Sequence, residues 1–403
     1  MSQLQNGRIW DIPAGPLGIV SLDGSREFTS LVNEKIVARR RELVEENPDL
    51  LNFKGFLRDN YQISITTNRF ASGEGKVVIN ETIRGYDIYI LADIGNFSAT
   101  YTMYGSPQRM SPDDHYQDIK RVIGAIGGKA RRINVIMPLL YESRQHKRYA
   151  RESLDCAMAL QELMRLGVSN IITFDAHDPR VQNAIPLEGF ESLYAHYQLI
   201  KALLTAVPDL GIHRDNMAVV SPDEGGMERS IYYAGILGLD LGMFYKRRDY
   251  TRVINGRNPI IRHEYLGDDL SGKDILIVDD VISSGESVLE IARELKNCGA
   301  RRIFILVTFA QFTQGIDEFD KAYREGVITR LLATNLTYRT PQLLAAPWYV
   351  DADASKFLAH LIETLNHDGS ISPLINPSEK IKALVAAYRL KQHSGQTTTM
   401  EVS

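Results

Sequence analysis

The sequence predicts an α/β protein of two domains, each built on a parallel sheet covered by helices. Two observations carry this. Short apolar runs recur at Val77–Ile79, Ile88–Leu91, Ile133–Met137, Ile171–Phe174, Met217–Val220, Ile275–Val278 and Ile303–Val307, with helical patterns between most of them. Strands alternating with helices predict parallel sheets. A weak internal repeat adds to this: Leu163-Met164-Arg165-Leu166-Gly167-Val168-Ser169-Asn170-Ile171-Ile172 matches Leu295-Lys296-Asn297-Cys298-Gly299-Ala300-Arg301-Arg302-Ile303-Phe304 in pattern. Each stretch ends a helix, places a Gly for a C-cap and begins a strand. Any two βαβ units share that outline, so the repeat is compatible with a common fold without requiring one.

Taken in order, residues 1–50 read as an N-terminal extension. Within it, Phe28, Leu31, Val32, Ile36 and Val37 recur at helical spacing between Glu27 and Glu46, and Asn47-Pro48 stops the pattern. A first α/β domain is expected over 51–205 and a second over 206–390. The polar tail 391–403 is expected to be disordered.

Bulk properties exclude several classes. A hydrophobic fraction of 44% and a charged fraction of 24% are ordinary for a soluble globular chain. No apolar run approaches a membrane span. Met1 to Val20 lacks a basic head followed by an apolar core, so no secretory signal is expected. Cys156 and Cys298 both fall in apparent helices, which argues against a disulfide framework and fits a cytoplasmic location. No Cys/His cluster has zinc spacing. A formal net charge of -4 gives no reason to expect a nucleic-acid partner.

The most informative stretch is Asp274-Ile275-Leu276-Ile277-Val278-Asp279-Asp280-Val281-Ile282-Ser283-Ser284-Gly285-Glu286-Ser287. It reads as a strand, an acidic tip, a hydroxyl-rich loop and a helix. The loop aims backbone N–H groups and the hydroxyls of Ser283, Ser284 and Ser287 at one point, and the helix N-terminus adds positive partial charge. That point suits a phosphate, with Gly285 inside the turn. Asp279 and Asp280 can accept hydrogen bonds from sugar hydroxyls or hold a magnesium ion. A phosphorylated sugar satisfies both halves. The bland reading is a strand-end Asp pair with a serine N-cap.

Five further motifs point to a nucleotide. Phe70 offers an aromatic face, with Ser72 and Glu74 as hydrogen-bonding neighbours, for a purine. Arg144, Lys147 and Arg148 form a cationic loop after the strand Ile133–Met137, fit to clamp a polyphosphate. Asp175 and His177 end another strand, where α/β ligands bind. Alternation puts them on one face, to act on a metal, or the His meets a triphosphate directly. Asp223 stands at a strand end before Gly225-Gly226, which permits close backbone approach to a ligand. Phe244-Tyr245-Lys246-Arg247-Arg248-Asp249 ends a strand in three cations, and Lys246 and Arg248, two apart, are expected on one face.

In that order the motifs resemble the ribose-phosphate pyrophosphokinases over roughly residues 52 to 340. The resemblance implies two similar phosphoribosyltransferase-like domains, an N-terminal ATP-side one and a C-terminal ribose-phosphate-binding one, with the active site between them. It implies transfer of the β,γ-diphosphoryl group of ATP to ribose 5-phosphate with Mg2+, in a homo-oligomer where Phe70 contacts adenine of a neighbouring subunit. Arg144, Gln145 and His177 then meet ATP, and His177 with Asp175 or Asp223 meets the metal. Lys246 and Arg248 are catalytic. Asp223, Asp279, Asp280 and the loop 283–287 bind ribose 5-phosphate. Departures are Ser283 where the family has Asp, Glu286 where transferases have Gly, His146 in place of an acidic residue, and a longer segment from Gly95 to Tyr116 holding three Tyr. A phosphoribosyltransferase and a non-catalytic regulatory homologue are the alternatives.

Overall fold

The computed structural model describes residues 12–248 and 260–394; of residues 246–248, 260–263 and 393–394 it describes the backbone only. The elements, in chain order, are β1 (Leu17–Ser21), α1 (Arg26–Glu46), β2 (Ile65–Arg69), β3 (Gly75–Ile79), β4 (Asp87–Leu91), β5 (Thr100–Met103), β6 (Ser106–Arg109), α2 (Pro112–Ile126), β7 (Arg132–Ile136), α3 (Asp155–Arg165), β8 (Asn170–Phe174), β9 (Gly189–Leu193), α4 (His196–Ala206) and β10 (Met217–Ser221). Then come α5 (Met227–Leu237), β11 (Asp240–Arg248), β12 (Ile260–Leu266), β13 (Asp274–Ile282), α6 (Glu286–Asn297), β14 (Ile303–Ala310), α7 (Asp317–Arg324), β15 (Arg330–Thr334), α8 (Pro341–Ala345), β16 (Tyr349–Ala352), α9 (Ser355–Asn366), α10 (Ser372–Ile375) and α11 (Ser378–Ser394).

Two compact units result. The first takes the chain up to Tyr194 together with Asn335–Tyr338 and Asp353–Asn376; the second takes Ala195–Thr334, Arg339–Ala352 and the chain from Pro377. In the first, a five-stranded parallel sheet runs β1-β4-β7-β8-β9. Every residue of β4 is buried, as expected of a strand covered on both faces. Val77–Ile79 does not join that sheet. It lies in β3, whose antiparallel pairing with β2 makes a separate hairpin with alternating exposure.

Residues 17–46 are not an extension. β1 is an edge strand of the main sheet, with Leu17, Ile19 and Val20 buried. Helix α1 is fixed by Arg40, 1% exposed, whose Nε donates to both Glu363 carboxylate oxygens at 3.0 and 2.9 Å. Its Nη2 reaches Asn366 at 2.6 Å, and its guanidinium covers the rings of Phe56 and Tyr61. The helical period was visible in the sequence. The partner, in α9, lies 323 residues away, and no local pattern announces it.

The second unit holds a seven-stranded sheet, β12-β11-β10-β13-β14-β15-β16, parallel except for the β11–β12 pair. One face packs Val288, Ile291, Ala292 and Leu295 of α6 and Phe319 of α7 on Ile275 and Ile277. The other packs α4, α5 and Ile381, Leu384, Val385 and Tyr388 of α11 on Leu276 and Val278. Helix α4 thus belongs with the second sheet, eleven residues before the expected boundary at 206. The tail is also shorter than expected. Helix α11 continues to Ser394, and Gln392 donates to the Pro208 and Leu210 carbonyls at 3.2 and 2.9 Å. Residues 395–403 lie outside the described residues.

The internal repeat has the same geometry in both units. Gly167 and Gly299 sit at φ +89° and +87°. The Val168 N–H donates to Leu163 O at 3.2 Å and the Ala300 N–H to Leu295 O at 3.1 Å, so each helix ends in a Schellman turn before its strand.

Candidate active site

In the second unit, β13 continues past Val278 through both carboxylates to Ile282, so the acidic pair lies inside the strand. The Asp280 N–H donates to Asp279 Oδ1 at 2.9 Å. Burial, and then the charge of Asp280, hold the Asp279 carboxyl well above the usual carboxylate range. Arg229 supplies the opposing charge: its Nη2 lies 3.5 Å from Asp280 Oδ2, and both side chains are almost wholly buried. Arg229 projects from the first turn of α5. No local pattern in the sequence marks it as part of a site. Its charge also bears on His196, which stacks on Tyr232 at 4.1 Å. Burial, then Arg229, pull the His196 pKa down to about 3, so this histidine is neutral.

After the acidic pair the chain turns through Ser283 and Ser284 into α6. Gly285 is the N-cap, at φ +84°. A β-carbon there would lie 2.3 and 2.5 Å from ring atoms of Phe319, so only glycine fits. The Ser284 hydroxyl lies 3.5 Å from the Glu286 N–H. The next N–H groups, of Ser287 and Val288, have no intrahelical acceptor by helix geometry. Glu286 and Ser287 are exposed. Glu286 sits on the first turn, where the helix dipole favours an acid.

Asp223 closes a tight turn after β10. Its Oδ1 accepts from the N–H groups of Gly225 and Gly226 at 2.9 and 3.2 Å, and Ser221 Oγ donates to its carbonyl at 2.8 Å. The two glycines therefore serve this turn as well as permitting close approach. Lys246 and Arg248 lie in the last turns of backbone pairing of β11, against His263 and Ile260 of β12. The register shifts between Arg247 and Arg248, so simple alternation is interrupted there. The side chains of all three cations lie outside the described residues.

In the first unit, Phe70, Ser72 and Glu74 occupy the β2–β3 turn. Phe70 is 55% exposed, and Ser72 Oγ donates to Glu74 Oε2 at 3.0 Å. Arg144, Lys147 and Arg148 are exposed on the loop after β7. Gln145 is partly committed within that loop, its amide donating to Ser153 O at 2.7 Å.

The expectation that Asp175 and His177 share a face is corrected. Strand β8 ends at Phe174, and Asp175 turns to φ +43°. Its N–H donates to Leu193 O at 2.7 Å, and its side chain is buried. His177 emerges exposed. The ring of His146 lies 5.5 Å from that of His177, and His146 Nε2 is 3.4 Å from Asp178. Burial lowers the His146 pKa despite that carboxylate. Among the described residues no group of three or more His, Cys, Asp or Glu is placed to hold a metal ion by itself.

Comparison with known proteins fits this division. A family model for the N-terminal domain of ribose phosphate pyrophosphokinase matches residues 17–167, and one for the phosphoribosyl transferase domain matches residues 190–327. The ribose-phosphate pyrophosphokinase of Vibrio parahaemolyticus is 27% identical over 79% of this chain and 94% of its own length. That of Chromobacterium violaceum is 28% identical over 76% and 86%. The crystal structure of phosphoribosylpyrophosphate synthetase from Mycobacterium smegmatis superposes with a TM-score of 0.67 at 20% identity, covering 88% of this chain and 99% of that one.

Proposed function

Because this chain belongs to the ribose-phosphate pyrophosphokinase family, we propose that it transfers the β,γ-diphosphoryl group of ATP to ribose 5-phosphate, giving phosphoribosyl pyrophosphate and AMP. The observation that carries this reading is the β13–α6 junction: two adjacent carboxylates, Asp280 buried and Asp279 partly so, followed by a serine loop on a helix N-terminus, in a chain whose other unit matches the N-terminal domain of ribose phosphate pyrophosphokinase. A phosphoribosyltransferase has no use for that second domain.

The anomeric hydroxyl of the sugar attacks the β-phosphorus. A new O–P bond forms, the bond from that phosphorus to the α-phosphate oxygen breaks, and AMP leaves with the α-phosphate. Such a transfer needs alignment and charge neutralisation more than covalent help. The serine loop and the α6 N–H groups seat the 5-phosphate, and Asp279 and Asp280 accept from ring hydroxyls. Lys246 and Arg248 meet charge developing on the transferred group. Phe70, Ser72 and Glu74 take the adenine of a neighbouring subunit, in a homo-oligomer, while Arg144, Gln145 and His177 meet the triphosphate.

Mg2+ suits this donor set, because it keeps its waters and takes one or two carboxylates together with substrate phosphates rather than a closed protein cage. His177, exposed beyond the end of β8, would contribute to holding it, and it would neutralise phosphate charge. A cytoplasmic location goes with two free cysteines. One assay tests the reading: protein, Mg2+, ATP and ribose 5-phosphate should yield AMP and a pyrophosphorylated sugar in equal amounts. ADP and a singly phosphorylated product would overturn it.

A further inference from the structure

The segment from Gly95 to Tyr116, which the activity above leaves without a task, contains a second hairpin. β5 and β6 pair antiparallel, with Met103 opposite Ser106. Tyr104 and Gly105 make the two-residue turn, both in the left-handed region at φ +47° and +77°. Asn-Gly or Gly-Gly is the preferred chemistry for such a turn, and an aromatic residue rarely adopts it. A Tyr held in this conformation points to a role for the side chain.

The tip of this hairpin lies against the turn that carries Phe70. The Tyr104 N–H donates to Ala71 O at 2.8 Å. A β-carbon on Gly73 would lie 2.7 Å from Met103 Sδ, so the two turns are in close contact. The base is fixed as well: Arg69 forks onto both oxygens of Asp118 in α2 at 2.7 and 2.6 Å and covers the Tyr101 ring at 5.3 Å. Two neighbouring tips on one anchored base thus present two uncovered aromatic rings, Phe70 at 55% and Tyr104 at 81% exposure. Ser72 and Glu74 stand beside them as acceptors for an exocyclic amine.

We propose that Tyr104 is a second nucleobase-binding residue, extending the Phe70 platform to stack on or flank the adenine of ATP. This rests on the reading of Phe70 given above. Base–aromatic stacking predicts that losing Tyr104 weakens ATP by roughly 5- to 150-fold.

The test is Tyr104→Asn. Asn suits the turn, so the midpoint of thermal unfolding should hold or rise while the Kd for Mg-ATP increases. The Kd for inorganic tripolyphosphate, which has no base, should not change. Tyr104→Phe should restore ATP binding. Three results overturn the inference. If Phe70→Ala weakens ATP and Tyr104→Asn does not, the inference falls and the Phe70 reading stands. If neither variant weakens ATP, both fall. If Tyr104→Asn changes the oligomer measured by light scattering but weakens ATP and tripolyphosphate alike, Tyr104 is a subunit contact instead.

Discussion

Gly285→Ala should cripple both the second unit and its sugar site. The native backbone there, at φ +84°, costs a residue with a β-carbon about 1–2 kcal/mol. The new methyl would also lie 2.3 Å from Phe319 Cε2. Phe319 cannot move aside. It is 1% exposed, its ring sits 4.9 Å from that of Phe312 and 5.5 Å from that of Trp348, and Trp348 is tied to Asp320 by a 2.7 Å hydrogen bond. Overpacking of this kind costs about 1–3 kcal/mol more. The sum, about 2–5 kcal/mol, is a large share of typical domain stability. It should lower the unfolding midpoint of that unit by roughly 5–15 °C. Calorimetric unfolding measures this, and titration with ribose 5-phosphate should show weakened binding as the loop 283–287 shifts. Gly285→Asn separates the two causes. Asn tolerates the backbone but not the ring, so it should be nearly as harmful as Ala, and Phe319→Leu should relieve both. An Ala variant with an unchanged midpoint and unchanged sugar affinity would refute the argument.

Asp279→Asn should stabilise the fold while abolishing sugar binding. The folded carboxyl titrates above its unfolded value, so its favourable contribution is complete below the unfolded pKa and is lost as pH rises through the folded one. Urea unfolding should therefore show a gain of about 0.5–2 kcal/mol at pH 7.5 that vanishes toward pH 4; a loss at pH 7.5 would contradict it. Asp280→Asn should weaken ribose 5-phosphate by about 1.5–3 kcal/mol for each charged hydrogen bond lost, with ATP binding retained. Unchanged sugar binding by calorimetry would remove the site assignment. Lys246→Ala should lower turnover by about 10²–10³-fold with little change in ground-state binding, and Arg247→Ala far less. Steady-state kinetics with the reverse ordering would mean the cationic strand has been misread.

What the sequence made legible were features with a local period or a local stereochemical demand. β4, β7, β8, β10, β13 and β14 appeared as apolar runs because both faces of a parallel sheet are covered. The Schellman turns at Gly167 and Gly299 appeared because only glycine takes that backbone cheaply. Long-range partners were not legible. Arg40 reads as one more polar residue on an exposed helix until Glu363 is beside it. Arg229 reads as a surface cation until β13 brings Asp280 within 3.5 Å. Asp175 failed for a different reason. Alternation carried to His177 runs three residues past the end of β8, beyond Asp175, where the chain turns left-handed and the periodic rule stops applying.

A parallel sheet gathers ligand groups at the C-terminal ends of its strands, which leaves the opposite ends free to be locked. Both units use the same lock. Asp87, the first residue of β4, receives a fork from Arg132 at the start of β7, at 2.8 and 2.7 Å. Asp274, the first residue of β13, receives Arg301 at 2.8 and 2.6 Å and Arg302, just before β14, at 2.7 Å. Both aspartates are fully buried. Burial alone would raise the Asp274 pKa, yet the two arginines outweigh it and the carboxyl titrates below its usual value. Its stabilising contribution is therefore present above the ordinary carboxylate range and is lost as the pH falls through the lowered folded value. The contrast with Asp279, five residues along the same strand, is instructive. One end of β13 spends two arginines on one carboxylate and gains rigidity. Farther along, two adjacent carboxylates crowd each other, and burial with that crowding holds Asp279 above the usual carboxylate range. A strand held firmly at its first residue can carry that unfavourable charge at its far end, where hydroxyl donors of a sugar would satisfy it.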